Sequence, residues 1–175
     1  MAEADSNIVK IAFVGLPSSG KSTLINSITR KRSLQSGVAR TTTEPTFICS
    51  ENILGCTNFI EMPIKSDDDV ELGLLDLPGV SDVENIQHGT NKNYDDLAEG
   101  WITSCDAMFW ITDANTAFLT KHEKTAYERF VNVLEKNIVD TGTLYQWGII
   151  LTKFDECGGD VCEMEDIYAF ITDKH

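Results

Sequence analysis

The chain has 175 residues, a length typical of one domain, and 42% of them are hydrophobic, which is enough to bury a single core. It carries 28 Asp and Glu against 14 Lys and Arg, so its formal net charge of −14 repels phosphate backbones and anionic membranes, and we expect no nucleic-acid partner. No apolar run reaches the ~20 residues of a membrane span, so no integral membrane segment is expected, and five cysteines without a Cys-x-x-Cys pair favour a reducing, cytoplasmic setting.

The N-terminal half of the chain predicts four strands, the first of them followed by a helix. The apolar run 8–14 ends at Gly15, and from Ser22 onward apolar residues recur at helical spacing. The other three predicted strands are 46–49, 59–64 and 71–77. The acidic segment 66–69, between the last two strands, is expected to form a solvated hairpin turn.

The C-terminal half alternates helices with strongly apolar strands. The runs 107–112 and 147–152 are nearly continuous in apolar residues, which is typical of strands covered on both faces in a mostly parallel sheet. Amphipathic helices are predicted at 94–104 and 121–139, and a weaker one at 163–174. This alternation predicts an open α/β fold with right-handed crossovers, and no linker divides the chain into two domains.

The link between the first strand and its helix has the spacing Gly-x-x-x-x-Gly-Lys-Ser, from Gly15 to Ser22. Glycines at these positions let successive backbone N–H groups face a phosphate, and the N-terminus of the helix adds the positive end of its dipole. Lys21 is expected to contact the β- and γ-phosphates, and the hydroxyl of Ser22 to bind Mg²⁺. The candidate nucleotide-binding residues of this phosphate loop are Gly15, Ser18, Ser19, Gly20, Lys21, Ser22 and Thr23.

Two later motifs resemble those of the GTPase branch of the phosphate-loop proteins. Asp76-Leu-Pro-Gly79 is similar to the third motif of that family. The resemblance implies that Asp76 reaches Mg²⁺ through a water, and that the Gly79 N–H meets the γ-phosphate and moves after hydrolysis.

Thr152-Lys-Phe-Asp155 is similar to the fourth motif of the same family. A carboxylate at Asp155 can accept from both N1–H and the exocyclic amine of guanine, which favours GTP over ATP. The resemblance implies that Lys153 lays its aliphatic stem along the base and ribose. Thr152 stands where many relatives have Asn, as it does in dynamin-like members.

With these motifs the chain is identified as a member of the TRAFAC class of P-loop GTPases, similar to Era-like and dynamin-like proteins. In Ras-like members a glutamine follows the third motif and orients the attacking water, but this chain has Val80 there. The chain therefore resembles the hydrophobic-substituted GTPases, in which the backbone, a cation or a partner positions the water.

Era-like enzymes often have a potassium-coordinating Asn at the position of Ser18, and dynamin-like ones have Ser. Our hypothesis is that Ser18 helps to hold K⁺ or Na⁺ or the bridging oxygen; a small residue that lets the loop close is the alternative.

Between the phosphate loop and Asp76 this family has a threonine that binds Mg²⁺ and the γ-phosphate, and the segment Arg40-Thr41-Thr42-Thr43 offers three candidates. We expect Thr42 to have this role because dynamin-like relatives show Thr-x-x-Pro at this distance. Thr43 stays open because Era-like relatives have paired threonines. Arg40 is either a solvated loop charge or an arginine finger.

The resemblance implies a three-layer, Ras-like G domain over residues 1–175, C-terminally truncated because no fifth motif or final helix is recognisable after Asp155. It implies Mg²⁺-dependent hydrolysis of GTP to GDP, in a nucleotide-dependent switch that forms a GTP-dependent homodimer. Two alternatives remain open: a nucleotide-binding scaffold without significant hydrolysis, and an ATP-using phosphoryl transferase, against which Asp155 argues. The expected catalytic residues are Lys21, Thr42, Ser18 and Gly79, and the expected metal-binding residues are Ser22, Thr42 and Asp76.

Overall fold

The computed structural model describes residues 8–35, 42–65, 70–80, 94–142 and 145–153. Strands and helices alternate as the hydrophobic pattern predicts, and the predicted helix at 163–174 lies outside the described residues. In chain order the elements are β1 (Ile8–Val14), α1 (Lys21–Thr29), β2 (Thr46–Cys49), β3 (Asn58–Glu61), β4 (Glu71–Asp76), α2 (Tyr94–Ile102), β5 (Ala107–Asp113), α3 (Lys121–Thr141) and β6 (Gln146–Thr152).

The six described strands form one sheet in the order β3-β2-β4-β1-β5-β6. All neighbouring pairs are parallel except β2 and β4, so the predicted α/β class with a mostly parallel sheet is confirmed. The carboxyl ends of β1, β4, β5 and β6 meet at one edge of this sheet, which is where open α/β folds bind their ligands.

The expected hairpin between the third and fourth strands is reduced to a single bridge. β2 lies between β3 and β4 in the sheet, and only Lys65 and Glu71 form an isolated antiparallel bridge. β3 ends at Glu61 instead of residue 64 because Pro63 has no N–H to donate to a ladder. The expected turn at 66–69 lies outside the described residues.

Helices cover both faces of the sheet and give the predicted three layers. On one face, Ile25 of α1 packs with Phe13 and Leu74. On the other face, α2 and α3 pack against alternate residues of the same strands, and Trp110 is fully buried there beside Phe130. The two faces alternate along each strand because successive side chains point to opposite sides of the sheet.

The start of α3 is fixed to the end of β5 by a buried carboxylate. Glu123 is only 3% exposed and accepts hydrogen bonds from Thr112 Oγ1 at 2.6 Å, Trp110 Nε1 at 3.3 Å and Phe118 N at 2.9 Å. Three donors offset the removal of this charge from water. The loop between β5 and α3 is therefore held close to the carboxyl edge of the sheet.

The three cysteines in the described part of the chain are free and buried, as the sequence predicts. Burial raises the pKa of Cys56 to about 11 and that of Cys105 to about 12, so both behave as small apolar residues at neutral pH. None of the described helices has the length and apolar character needed to cross a bilayer.

Candidate functional site

The phosphate loop joins β1 to α1 through a backbone path that excludes side chains at its two glycines. A Cβ on Gly15 would lie 2.2 Å from Ile111 O, a distance that no side chain tolerates. Gly20 caps α1 with φ of 93°, in the left-handed region that favours glycine. The loop that the spacing predicts is thus fixed by the backbone itself, at the carboxyl edge of the sheet.

Lys21 holds its ammonium inside this loop. The residue is 6% exposed, and its Nζ donates to Leu16 O at 2.9 Å, to Gly15 O at 3.1 Å and to Ser19 Oγ at 3.5 Å. These three partners are neutral, and the ammonium also interacts electrostatically with the buried Asp76 carboxyl, so a positive charge lies at a buried point close to that group. Such a point can attract one compact anion.

The three predicted metal-binding residues lie in direct contact. Ser22 Oγ donates to Asp76 Oδ2 at 2.7 Å, and Thr42 Oγ1 lies 3.2 Å from both of these atoms. Thr43 is exposed and lines, together with Thr42, a cleft of about 370 Å³ between residues 33–35 and β3, and Thr41 lies outside the described residues. Of the threonines that the structure describes here, Thr42 is therefore the one that joins this cluster.

The Asp76 carboxylate is suited to a hard cation. The residue is fully buried, and its Oδ1 has no hydrogen-bond partner among the described residues. Burial raises the pKa of Asp76, although the hydrogen bond from Ser22, the charge of Lys21 and the hydrogen bond from Thr42 oppose this shift. Carboxylate and hydroxyl oxygens are the ligands that Mg²⁺ prefers, so the residues present fit this ion.

No larger acidic or imidazole cluster competes with it in the part of the chain that the structure describes. Within those residues, no group of three or more His, Cys, Asp or Glu side chains is arranged to hold a metal ion. The site thus has a single buried carboxylate and two hydroxyls, which leaves room for ligands from a bound phosphate.

The third motif runs directly against the phosphate loop. A Cβ on Gly79 would lie 2.7 Å from Pro17 N and 2.8 Å from Pro17 Cα, so only glycine fits here. Val80 N donates to Gly15 O at 3.2 Å, and the Val80 side chain is fully buried in the core. An apolar side chain that is fully buried cannot hydrogen-bond a water, so Val80 cannot take the place of a water-orienting glutamine.

Thr152, the first residue of the fourth motif, contacts the phosphate loop as well as β5. Its Oγ1 lies 2.6 Å from Ser19 O and 3.1 Å from Thr112 O, and its single proton can be donated to one of these carbonyls at a time. The missing side chain of Gly20 makes room for it, because a Cβ there would lie 3.1 Å from Thr152 Oγ1. Thr152 thus ties the end of β6 to the phosphate loop.

Lys153 is held by a residue that the sequence patterns did not single out. Its Nζ donates to Asp113 Oδ2 at 2.7 Å, and Asp113 is the last residue of β5. The sequence signal that could have identified Asp113 is its place as a carboxylate at the carboxyl end of a predicted parallel strand, where ligands bind in such sheets. Asp155 lies outside the described residues, so its contact with guanine stays a prediction.

Of the remaining predicted residues, two are exposed on the rim of the loop and one is buried in it. Ser18 is exposed and has φ of 61°, and Thr23 is exposed on α1, whereas Ser19 is 3% exposed. Backbone N–H groups, a buried ammonium and an oxygen cluster therefore meet at one edge of the sheet. Together they can hold a polyphosphate with a divalent cation.

Comparison with known proteins gives a family match. The family model described as 50S ribosome-binding GTPase matches residues 10–141. The chain is 29% identical over 140 residues to the probable transmembrane GTPase FZO-like, chloroplastic, of Arabidopsis thaliana, an alignment that spans 73% of this chain and 15% of the plant protein.

Solved structures of two proteins resemble the fold. Era, in complex with MgGDPNP and nucleotides 1506–1542 of 16S ribosomal RNA, matches with a TM-score of 0.68 and 17% identity, over 96% of this chain and 47% of Era. The mGMPPNP-bound NFeoB of S. thermophilus matches with a TM-score of 0.53 and 19% identity, over 87% of this chain and 47% of that protein. The chain thus spans less than half the length of each of these relatives.

Proposed function

Because the chain belongs to the 50S ribosome-binding GTPase family, within the TRAFAC class that its motifs resemble, we propose that it binds GTP with Mg²⁺ and hydrolyses it to GDP and phosphate. The observation that carries the proposal is the contact of Ser22, Thr42 and Asp76 beside the buried ammonium of Lys21. We propose further that residues 1–175 act as one G domain in a reducing, cytoplasmic setting.

The phosphate loop would bind the β- and γ-phosphates of the nucleotide. Lys21 Nζ now donates to two loop carbonyls, and phosphate oxygens would be stronger acceptors for the same ammonium because they are charged. The backbone N–H groups between Gly15 and Ser22 and the N-terminus of α1 add further donors without any change in charge. This binding is local: a small positive site holds the phosphates on a chain whose overall net charge is −14.

Ser22, Thr42 and Asp76 would hold the Mg²⁺ that accompanies the nucleotide. When bound, this ion neutralises charge on the β- and γ-phosphates. Asp76 would stay ionised in that state, since a neighbouring cation lowers the pKa that burial raises. Its unpartnered Oδ1 would then also find a hydrogen-bond donor or a ligand.

Hydrolysis would proceed without a water-orienting glutamine after the third motif, because that position is Val80, whose side chain is buried in the core. The Gly79 N–H and the backbone near Thr42 would orient the attacking water. Ser18, which is exposed on the loop, would help to hold K⁺ or Na⁺ and so supply the charge that an arginine finger provides elsewhere. Equal rates in K⁺, Na⁺ and choline buffers, with an unimpaired Ser18→Ala variant, would contradict this role.

The switch would consist of the two segments that contact the phosphate-binding residues. Thr42 reaches the site through Asp76, and Gly79 lies against Pro17. Loss of the γ-phosphate would release both segments, as in other proteins with this loop. We propose that the GTP-bound form pairs as a homodimer, and light scattering that stays monomeric with GDP·AlF₄⁻ and with GTP analogues would contradict that pairing.

Phosphate release tests the enzymatic proposal. Purified chain with GTP and Mg²⁺ should release phosphate above the rate of a Lys21→Ala variant. Nucleotide binding with equal, background release in the two proteins would instead identify a scaffold that binds GTP without significant hydrolysis.

A further inference from the structure

The pair of Asp113 and Lys153 joins two neighbouring strands at the nucleotide edge of the sheet. Asp113 is paired in register with Thr152, so Lys153 begins just beyond the end of the ladder. The 2.7 Å contact between Lys153 Nζ and Asp113 Oδ2 links the two chain segments beyond the last paired residues. The two side chains are 36% and 20% exposed, so water reaches the pair but does not surround it.

Asp113 is itself fixed before it meets the lysine. Its Oδ1 accepts from Asn115 N at 2.9 Å and from Asn115 Nδ2 at 3.1 Å, which locks the carboxylate rotamer at the end of β5. Burial alone would raise the pKa of Asp113, but the hydrogen bonds from Lys153 and Asn115 outweigh it and the pKa is lowered. The carboxylate is therefore ionised at neutral pH.

The backbone of Lys153 also has little freedom. Its φ is 54°, in the left-handed region that non-glycine residues rarely adopt. The preceding residue, Thr152, is tied to Ser19 O, so the lysine leaves the strand from an anchored position. With both ends held, the four-carbon stem between them has few accessible rotamers.

We infer that Asp113 is a positioning residue for recognition of the purine, because it holds the Lys153 ammonium and thereby fixes the lysine stem along which the base would lie. This inference rests on the proposed function, since it requires a nucleotide whose base lies beside the fourth motif. A long lysine side chain loses much rotamer entropy when it is ordered. Asp113 orders it before the nucleotide arrives, so the bound state loses less.

The test uses the whole chain with Mg²⁺ and two ligands, GDP and inorganic tripolyphosphate. Asp113→Asn should weaken GDP binding about 10-fold, the size expected for a partly exposed, charge-assisted hydrogen bond, and should leave tripolyphosphate binding unchanged. The matched control is Asp106→Asn, which removes a carboxylate at the opposite end of β5 and should change neither affinity.

A double-mutant cycle shows whether Asp113 acts through the lysine. Lys153→Met keeps the apolar stem and removes the charge, so adding Asp113→Asn to it should cause less than about a twofold further change in GDP affinity. Independent, additive losses would overturn the assignment, as would an Asp113→Asn variant that binds GDP as tightly as the wild type or more tightly. Equal losses for GDP and tripolyphosphate would also overturn it, because they indicate a structural role.

The outcome for the wild type separates the two proposals. If the wild-type chain does not bind GDP, the proposed function fails and this assignment fails with it. If the wild type binds GDP normally and Asp113→Asn binds equally well, only the positioning role is wrong.

Discussion

The phosphate side and the base side of the site are built differently. On the phosphate side, Lys21, Ser22 and Asp76 are 6%, 8% and 0% exposed, and a contiguous loop provides most of the contacts. On the base side, the Lys153 and Asp113 side chains stay 36% and 20% exposed; Asp113 ends β5 and Lys153 directly follows β6. We infer that the phosphate side supplies most of the affinity and that the base side supplies selectivity.

Removing the buried ammonium is the strongest test of the division between a phosphate side that supplies affinity and a base side that supplies selectivity. Lys21→Ala should weaken GDP binding by at least about 100-fold, because it leaves the loop without its compensating charge. A titration with fluorescent GDP measures the change. Lys31→Ala, at an exposed position after α1, is the matched control and should bind GDP as the wild type does. A Lys21→Ala affinity within threefold of the wild type would contradict the division.

The next largest effect is expected at the contact of the third motif with the loop. Gly79→Ala adds a methyl group 2.7 Å from Pro17 N, so the segment has to move away from the γ-phosphate. Phosphate release should fall about 100-fold, as it does when a transition-state hydrogen-bond donor is lost, while GDP affinity stays within about threefold.

Gly100→Ala is the control for this change, since no atom beyond its chain neighbours and the local helix backbone lies within 4 Å of the added methyl group. It should leave phosphate release unaltered. Unchanged release by Gly79→Ala would show that the third motif does not take part in hydrolysis.

A smaller effect, of opposite sign for stability and binding, is expected at Asp76. Asp76→Asn removes a buried charge, so the free energy of unfolding of the metal-free chain should rise by about 1 kcal/mol at pH 8. Nucleotide binding by the variant should lose its dependence on Mg²⁺. Denaturant unfolding in EDTA measures the first change. The exposed Asp106→Asn serves as the control.

The pH dependence of that gain follows from the raised pKa of Asp76. As the pH falls through a raised folded-state pKa, the native carboxyl binds its proton before the unfolded one does, so the wild-type native state gains stability. The advantage of Asp76→Asn should therefore shrink as the pH is lowered. An advantage that grows toward acid pH would contradict the burial of this charge.

The smallest predicted effect concerns the tie between the two sides. Thr152→Val keeps the shape and removes the hydroxyl that lies between Ser19 O and Thr112 O. The unfolding free energy should fall by about 1 kcal/mol and GDP affinity by a few-fold, about the size of one hydrogen bond. Thr103→Val, which removes the hydroxyl bond to Gly100 O away from the site, should affect stability less and GDP binding not at all.

The same contrast explains what could be predicted from the sequence. The phosphate loop could be predicted because its contacts lie within eight successive residues, Gly15 to Ser22, and the resemblance selected Thr42, which does contact Asp76. The link of Lys153 to Asp113 joins positions 40 residues apart, and that of Thr152 to Ser19 joins positions 133 apart. Neither separation leaves a local pattern.

The sheet likewise shows that local patterns predict individual strands but not their order in the sheet. The predicted strands exist with bounds close to those expected, because alternation and apolar runs are local properties. The position of β3 outside β2 and the parallel pairing of these two strands depend on which strand edge is free after β4 pairs with β2. That competition is decided by the whole sheet and leaves no local pattern, so the order of these strands could not be predicted from the sequence.

The most direct test of the account is a paired titration of the chain with fluorescent GDP and fluorescent ADP, with and without Mg²⁺. We predict that GDP binds more than about tenfold more tightly than ADP and that Mg²⁺ strengthens the binding. ADP binding as tight as GDP binding, or no uptake of GDP in the presence of Mg²⁺, would contradict the account.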